Sequence, residues 1–199
     1  MLLPYPAIYT GLYLLKNVWV AMISYHLLLL LVNIAYFKNY TVKNMLHGFN
    51  LQKATIFIIP AALNGLVIYL LWPFIKLEHI NLAEKLTELG IYGKLWCLFI
   101  PYYVIITPWL EEYFWRGILG SDKKLPDVSD ILYAGYHILV LLLFIKLFWS
   151  ILTFIILVFT AWMWRSTKIK YKGLYIPLLS HIVADASTVV AIFALTLKV

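Results

Sequence analysis

Three ionisable residues, Glu111, Glu112 and Arg116, lie within a long apolar stretch of the chain. A charged side chain at the centre of a membrane helix costs about 3 kcal/mol, so such residues are uncommon there without a partner or a function. Two further polar pairs follow at i,i+4 spacing: Tyr133 with His137, and His181 with Asp185. Residues at this spacing share one helix face. Carboxylates and imidazoles brought together could transfer protons, which is the requirement for general acid–base catalysis.

The composition identifies the class of protein that must position these groups. The chain has 199 residues, of which 64% are hydrophobic and 13% charged, and its mean hydropathy is +0.89. Soluble domains contain about 45–50% apolar and about 25% charged residues. The apolar runs are continuous, whereas β-barrel strands alternate in polarity. The sequence therefore predicts an all-α, polytopic membrane protein.

Other classes are excluded by the distribution of charge and cysteine. The net charge of +7 comes from Lys residues spread over the loops between apolar segments, which is not the pattern of a nucleic-acid-binding surface. Cys97 is the single cysteine, so the sequence has no intramolecular disulfide and no cysteine-based zinc site.

Six spans are predicted, in one membrane domain. They are Val18–Phe37, Thr55–Ile75, Leu95–Leu119, Ile131–Ile145, Ile151–Trp164 and Leu174–Leu197. A single helix over Ile131–Trp164 would be roughly 50 Å long, against a hydrocarbon core of about 30 Å. We therefore expect two short helices with a turn near Lys146–Ser150. Residues 1–94 hold two spans and a surface loop, and residues 95–199 hold four helices that form the candidate catalytic core.

The loop over His79–Gly90 has the pattern of a short surface helix. Asn81 is placed to cap it, Leu82, Leu86 and Leu89 share one side, and Gly90 is a typical helix end.

The distribution of Lys and Arg predicts the orientation in a cell membrane. Loops after spans 1, 3 and 5 carry nine basic residues, against six on the opposite side. The positive-inside rule places the richer side in the cytoplasm and both termini outside. The nine residues are Lys38, Lys43, Lys53, Lys123, Lys124, Arg165, Lys168, Lys170 and Lys172.

The six alternating spans place three of the polar residues at one depth. Glu111 precedes the end of span 3, and His137 and His181 follow the beginnings of spans 4 and 6. At 1.5 Å per residue, each lies roughly 9–11 Å below the cytoplasmic face. We therefore expect their side chains to converge on one polar cavity open to that face.

The spacing also assigns local roles. Glu112 and Arg116 are four residues apart, so they are expected to form an ion pair. Glu111 points about 100° away and has no such partner, which leaves its carboxylate free to act as a base toward water. His137 is a second titratable group. The His181 imidazole can be oriented by Asp185, or both can face the same reacting atom.

These three motifs together resemble those of the CPBP family, the CAAX-protease and bacteriocin-processing intramembrane proteases, which include the type II CAAX prenyl endopeptidases. The similarity runs over Glu111-Glu112-x-x-x-Arg116, an aromatic-x-x-x-His motif ending at His137, and His181-x-x-x-Asp185, and covers roughly Leu95–Leu197. The family usually has Phe where this chain has Tyr133. Its prenyl-processing members have Asn where this chain has Asp185, which weakens a CAAX-type specificity.

The resemblance implies a role for each residue. Glu111 together with His137 would activate the attacking water, and His181 with Asp185 would stabilise the oxyanion or otherwise complete the site. Glu112 and Arg116 would be the supporting pair. The implied activity is hydrolysis of a peptide bond near the cytoplasmic side of the bilayer, and the implied partners are the lipid bilayer and a peptide or protein substrate. Prenylated proteins, leader peptides and bacteriocin-like peptides all remain open as substrates.

Two alternatives accompany this interpretation. A divalent metal, zinc, could be held by Glu111, His137 and His181, although no His-x-x-x-His motif is present and the residues favour metal-free hydrolysis. The protein could instead be a non-catalytic immunity or accessory protein that binds a peptide or partner through the same cavity. A transporter is disfavoured because no internal repeat is present and the charged residues cluster at one end of the spans.

Overall fold

The computed structural model describes residues 1–36 and 45–198. Its helices are α1 (Pro4–Tyr9), α2 (Val18–Ala35), α3 (Leu51–Ile75), α4 (Leu82–Glu88), α5 (Gly93–Ile118), α6 (Val128–Leu141), α7 (Leu147–Tyr171) and α8 (Tyr175–Thr196). The predicted end of span 1 at Phe37, and two of the basic residues used for orientation, Lys38 and Lys43, lie outside the described residues. We call the end of the bundle formed by residues 119–127 and 172–174 the site end.

The prediction of an all-α, polytopic membrane protein is confirmed. Five helices in the described part of the chain, α2, α3, α5, α7 and α8, are long and apolar enough to cross a membrane, and α6 is a shorter apolar helix. The 14 residues of α6 extend only about 21 Å.

Two helices cover Ile131–Trp164, as predicted, but only the first is short, since α6 has 14 residues and α7 has 25. The turn between α6 and α7 covers residues 142–146, slightly before the predicted position, and α7 continues to Tyr171 rather than ending at Trp164. This turn needs neither Gly nor Pro because it pairs with the end of α3. Backbone N–H groups of Leu77 and Lys146 donate to the carbonyls of Phe144 and Ile75.

An N-terminal helix was not predicted. Helix α1 continues as a π-helical turn over Thr10–Leu14, and the chain then reverses into α2. The Tyr5 and Tyr13 hydroxyls donate to the carbonyls of Leu132 and Leu139, so α1 runs in the same direction as α6 and begins toward the site end. Lys198 lies over the Tyr69 ring at the opposite end. The two ends of the described chain therefore lie toward opposite ends of the bundle, whereas the alternation of six spans predicts both at one end.

The surface helix predicted for His79–Gly90 is confirmed as α4. The Asn81 side chain accepts hydrogen bonds from the backbone N–H groups of Ala83 and Glu84. Leu82 and Leu86 are buried, and Gly90 ends the helix region with a φ of +88°, a conformation that glycine adopts without steric cost.

Helix α5, which carries the first motif, departs from regular α geometry in two places. Residues Tyr102–Ile106 and Glu112–Ile118 are π-helical, with i→i+5 bonding, and each segment begins near a proline, Pro101 or Pro108. The Asn33 amide of α2 donates to the Leu110 carbonyl at 3.1 Å. Such π segments are frequent at functional sites, because they reorient side chains within a helix.

Helices α3 and α8 cross at close range. A Cβ on Gly65 would lie 2.0 Å from the Ser187 carbonyl oxygen, so glycine permits the contact. The Ser187 hydroxyl donates to the Ala61 carbonyl at 2.8 Å, and the Asn64 amide donates to the Thr188 hydroxyl at 2.8 Å. These bonds fix α8, and with it the third motif, against α3.

Candidate active site

Polar residues of α5, α6 and α8 meet toward the site end of the bundle and form a buried cluster. Its members are Glu111, Glu112, Arg116, Tyr133, His181 and Asp185, and none of their residues is more than 8% exposed. Helix α5 approaches the site end, whereas α6 and α8 leave it, which is the arrangement that the alternation of spans predicted. The first and third motifs, which are distant in the sequence, are therefore in direct contact.

The carboxylate of Glu112 lies at the centre of the cluster. Its Oε1 accepts a hydrogen bond from Arg116 Nη1 at 3.0 Å, so the predicted ion pair is present. The same oxygen lies 2.8 Å from His181 Nδ1. Since an ionised carboxylate only accepts hydrogen bonds, Nδ1 carries the proton. Glu112 therefore orients His181, a role that the sequence analysis gave to Asp185.

Aromatic rings enclose the charged part of the cluster. The Arg116 guanidinium lies 3.9 Å from the centroid of the Tyr133 ring and 4.9 Å from that of Trp164. Trp164 also stacks on the His181 imidazole, with centroids 4.8 Å apart and planes inclined by 27°. Cation–π contacts of this kind stabilise a guanidinium that is removed from water.

The Nε2 atom of His181 faces three oxygen atoms from three helices. The Tyr133 hydroxyl lies 3.5 Å away, Asp185 Oδ2 3.6 Å and Glu111 Oε2 3.9 Å. Within the described residues, both of these carboxylate oxygens are buried and lack a hydrogen-bond partner. Buried carboxylate oxygens are usually hydrogen-bonded, so their convergence on one imidazole nitrogen marks a place where a reacting group could bind.

Glu111 is not isolated, in contrast to the prediction from its i±4 neighbours. The Tyr136 hydroxyl of α6 donates to Glu111 Oε1 at 2.5 Å. Tyr136 was missed as a site residue. It follows Tyr133 by three residues, so both side chains lie on one helix face; this spacing makes Tyr136 a candidate but does not show which residue it faces.

His137 does not reach Glu111, so the expected convergence of all three residues is only partly present. Its Nδ1 lies 2.9 Å from the Tyr133 carbonyl oxygen in its own helix. Its ring stacks on that of Tyr136, with centroids 4.1 Å apart. Among the described residues it forms no ion pair with Glu111 and no hydrogen bond with His181.

A second buried ion pair, also missed from the sequence, holds the loop at the site end. Arg165 of α7 is fully buried and binds Asp130 of α6 through Nε and Nη2, at 2.8–3.2 Å. Its guanidinium also donates to the carbonyls of Ser121, Lys123 and Leu125. Arg165 therefore fixes the loop between the first two motifs, and it follows Trp164, which contacts His181.

The three residues of the zinc alternative, Glu111, His137 and His181, are not assembled into one ligand set. Within residues 1–36 and 45–198, no group of three or more His, Cys, Asp or Glu side chains is placed to hold a metal ion.

The cluster is enclosed by protein. The larger of two described surface cavities, about 590 Å³, lies at the opposite end of the bundle and is lined in part by Leu77, His79 and Lys146. The second is lined by α2 residues such as Val20 and Ile23 together with the turn before α2. Neither borders the cluster, whose residues are at most 8% exposed.

Comparisons of this chain with models of protein families, with curated proteins and with solved structures found no match.

Proposed function

We propose that this protein is an intramembrane endopeptidase of CPBP type, which hydrolyses a peptide bond by means of a water molecule activated by Glu111. The proposal rests on the groups that surround the Nε2 atom of His181. Two buried carboxylate oxygens that have no hydrogen-bond partner in the described part of the chain, Glu111 Oε2 and Asp185 Oδ2, lie within 4 Å of that nitrogen. A base and a hydrogen-bond donor facing one small space are the elements that hydrolysis needs.

The chemistry follows from the position of each group. Glu111 Oε2 accepts a proton from water, and the water oxygen attacks the carbonyl carbon of the substrate. In its protonated form, His181 holds Glu112 through Nδ1–H and donates Nε2–H to the oxygen on which negative charge develops. The Tyr133 hydroxyl, 3.5 Å from Nε2, is a second donor for that oxygen.

Collapse of the tetrahedral intermediate completes the reaction. The C–N bond breaks, and Glu111 returns its proton to the leaving nitrogen. The products are a new carboxylic acid and a new amine, which exchange a proton to become a carboxylate and an ammonium group, and the enzyme is restored. Asp185 Oδ2 lies 3.6 Å from Nε2 and, with Glu111 Oε2, lines the space in which the reacting groups meet.

We also propose a membrane location and an orientation for the protein. The protein lies in the cell membrane with the site end toward the cytoplasm, since basic residues such as Lys123, Lys124 and Lys172 are concentrated at that end. The substrate is a peptide or protein segment that enters the bilayer from the cytoplasmic side.

A comparison of peptides produced in membranes tests this function. Membranes that carry the native protein, Glu111→Gln or Glu88→Gln are compared by mass spectrometry for new peptide termini. Glu88 is a matched control because it is a glutamate on the exposed helix α4, away from the cluster. New termini should appear with the native protein and Glu88→Gln and be absent with Glu111→Gln. Identical sets of peptides in all three membranes would contradict a hydrolytic function.

The enclosure of the cluster favours a second candidate, a non-catalytic immunity or accessory protein. Cluster residues that are at most 8% exposed could serve only to hold the helices in a form that a peptide or partner recognises elsewhere. This candidate predicts that Glu111→Gln leaves the peptide set of the membrane unchanged.

A further inference from the structure

Tyr136 connects the second motif to the first. Its hydroxyl donates to Glu111 Oε1 at 2.5 Å, and Tyr136 and Glu111 are 5% and 1% exposed. The bond joins α6 to α5, across 25 positions of sequence. Hydrogen bonds to an ionised acceptor are short and about twice as strong as those between neutral groups.

The Tyr136 ring is fixed by its neighbours on several sides. It stacks on His137 with an interplanar angle of 26° and on Trp115 with an angle of 17°. The Tyr25 ring lies 5.4 Å from it, centroid to centroid. Because these rings leave Tyr136 little freedom, its hydroxyl is directed at Glu111. The Tyr25 hydroxyl is a second, weaker hydrogen-bonding neighbour of that carboxylate.

A hydrogen bond to one oxygen is needed to fix the orientation of the Glu111 carboxylate. The terminal torsion of a glutamate side chain is soft, so either oxygen can turn toward a given neighbour. With Oε1 held by Tyr136, the other oxygen, Oε2, is the one that faces His181 Nε2 at 3.9 Å. The hydroxyl of Tyr133, the other tyrosine of this helix face, is directed at His181 instead.

We propose that Tyr136 is the positioning residue of Glu111, which holds one carboxylate oxygen so that the other is presented to water beside His181. His137 takes part through its ring, as the stacking partner of Tyr136. This inference rests on the proposed function, because it names the residue that aligns the proposed base.

The first test is kinetic and uses Tyr136→Phe, which removes the hydroxyl and keeps the ring. Tyr13→Phe is a matched control, because the Tyr13 hydroxyl also donates to a group of α6, the Leu139 carbonyl, away from the cluster. A peptide whose cleavage depends on Glu111 serves as substrate. Tyr136→Phe should lower kcat about 10- to 100-fold, the range expected for a hydrogen bond to a charged group, with KM changed less than about twofold. Tyr13→Phe should retain the native kcat.

The second test does not depend on turnover. A hydrophobic carbodiimide reacts with protonated carboxyl groups inside membranes, and mass spectrometry locates the adduct. At a single neutral pH, the adduct at Glu111 should increase about tenfold in Tyr136→Phe, because the closest donor to the carboxylate has been removed while Tyr25 and His181 remain beside it. The adduct at Glu112, whose donors are Arg116 and His181, is the internal reference and should not change.

The two tests separate this inference from the proposed function. Native kcat and native labelling of Glu111 in Tyr136→Phe would overturn the role of Tyr136 and leave the hydrolase intact. A native protein that cleaves no peptide would overturn the proposed function, and the labelling would still decide whether Tyr136 governs the Glu111 carboxylate. A fall in kcat accompanied by an equal fall for Tyr13→Phe would show a general loss of packing and would also overturn the inference.

Discussion

The two neighbouring glutamates should differ in how the same substitution affects stability. Glu112→Gln and Glu111→Gln each exchange a carboxylate for an amide of nearly the same shape. Both side chains are almost fully buried, so differences in exposure do not affect the comparison. The difference lies in their partners, because Glu112 binds a permanent cation, Arg116, and Glu111 binds a neutral hydroxyl, Tyr136.

The magnitudes follow from these partners. Removing one member of a buried ion pair costs about 3–5 kcal/mol, because the remaining charge stays buried without compensation. In Glu112→Gln the Arg116 guanidinium keeps its contacts with two aromatic rings, so we expect the lower part of this range, about 3 kcal/mol. In Glu111→Gln the amide oxygen still accepts the Tyr136 bond, and we expect a change within about 1 kcal/mol.

Thermal unfolding of the purified protein in detergent measures both effects. For a chain of this length, 1 kcal/mol corresponds to about 2–4 °C in Tm. Glu112→Gln should therefore lower Tm by about 6–12 °C, and Glu111→Gln by less than about 4 °C. Arg116→Met should resemble Glu112→Gln. The double variant should lose much less than the sum of the two single variants, because the two residues share one interaction.

Turnover adds a second comparison. Glu112→Gln should lose activity as well as stability, because Glu112 also holds His181 Nδ1. Arg116→Met leaves that bond in place and should retain more activity at a similar Tm. A large fall in Tm for Glu111→Gln together with a native Tm for Glu112→Gln would refute the assignment of the two roles.

Three further predictions concern regions outside the cluster. The pKa of Glu88 is lowered from 4.5 to about 2, mainly by its hydrogen bond from Lys85 and next by that from Lys16. The stability that this carboxylate contributes should therefore be present above about pH 4.5 and be lost as the pH falls toward 2. The Tm difference between native protein and Glu88→Gln should shrink over that range. Gly65→Ala places a Cβ 2.0 Å from a backbone oxygen of α8 and should lower Tm by several degrees, whereas Gly117→Ala, where the nearest atom is 3.6 Å away, should not. Arg165→Met should expose residues 121–125 to limited proteolysis, with native resistance as the contrary result.

Several features of this architecture follow from the sequence by simple geometry. Alternation of spans predicts that Glu112 and His181 lie toward the same end of the bundle, and they are in contact. The i,i+4 rule predicts the pair of Glu112 with Arg116. Capping and periodicity predict helix α4 with Asn81 at its start. Each of these depends only on the rise per residue or on spacing within one helix.

The features that were missed depend on how helices are rotated and bent. An ideal α-helix turns Glu111 and Glu112 about 100° apart, yet both carboxylates approach His181, and the π-helical segment that begins at Glu112 changes the angular step between them. Which tyrosine faces Glu111 depends on the rotation of α6, which spacing alone does not determine. Helix α1 is too short for a search for spans of about 20 residues.

Hydrolysis in heavy-oxygen water tests the central claim most directly. The native protein and Glu111→Gln are purified, placed in vesicles with a peptide from the membrane comparison, and incubated in H₂¹⁸O. If Glu111 activates water, the native protein should produce a new carboxyl terminus that carries one ¹⁸O atom, and Glu111→Gln should produce none while keeping its Tm. Equal production of the labelled product by both proteins, or cleavage without incorporation of ¹⁸O, would contradict the account.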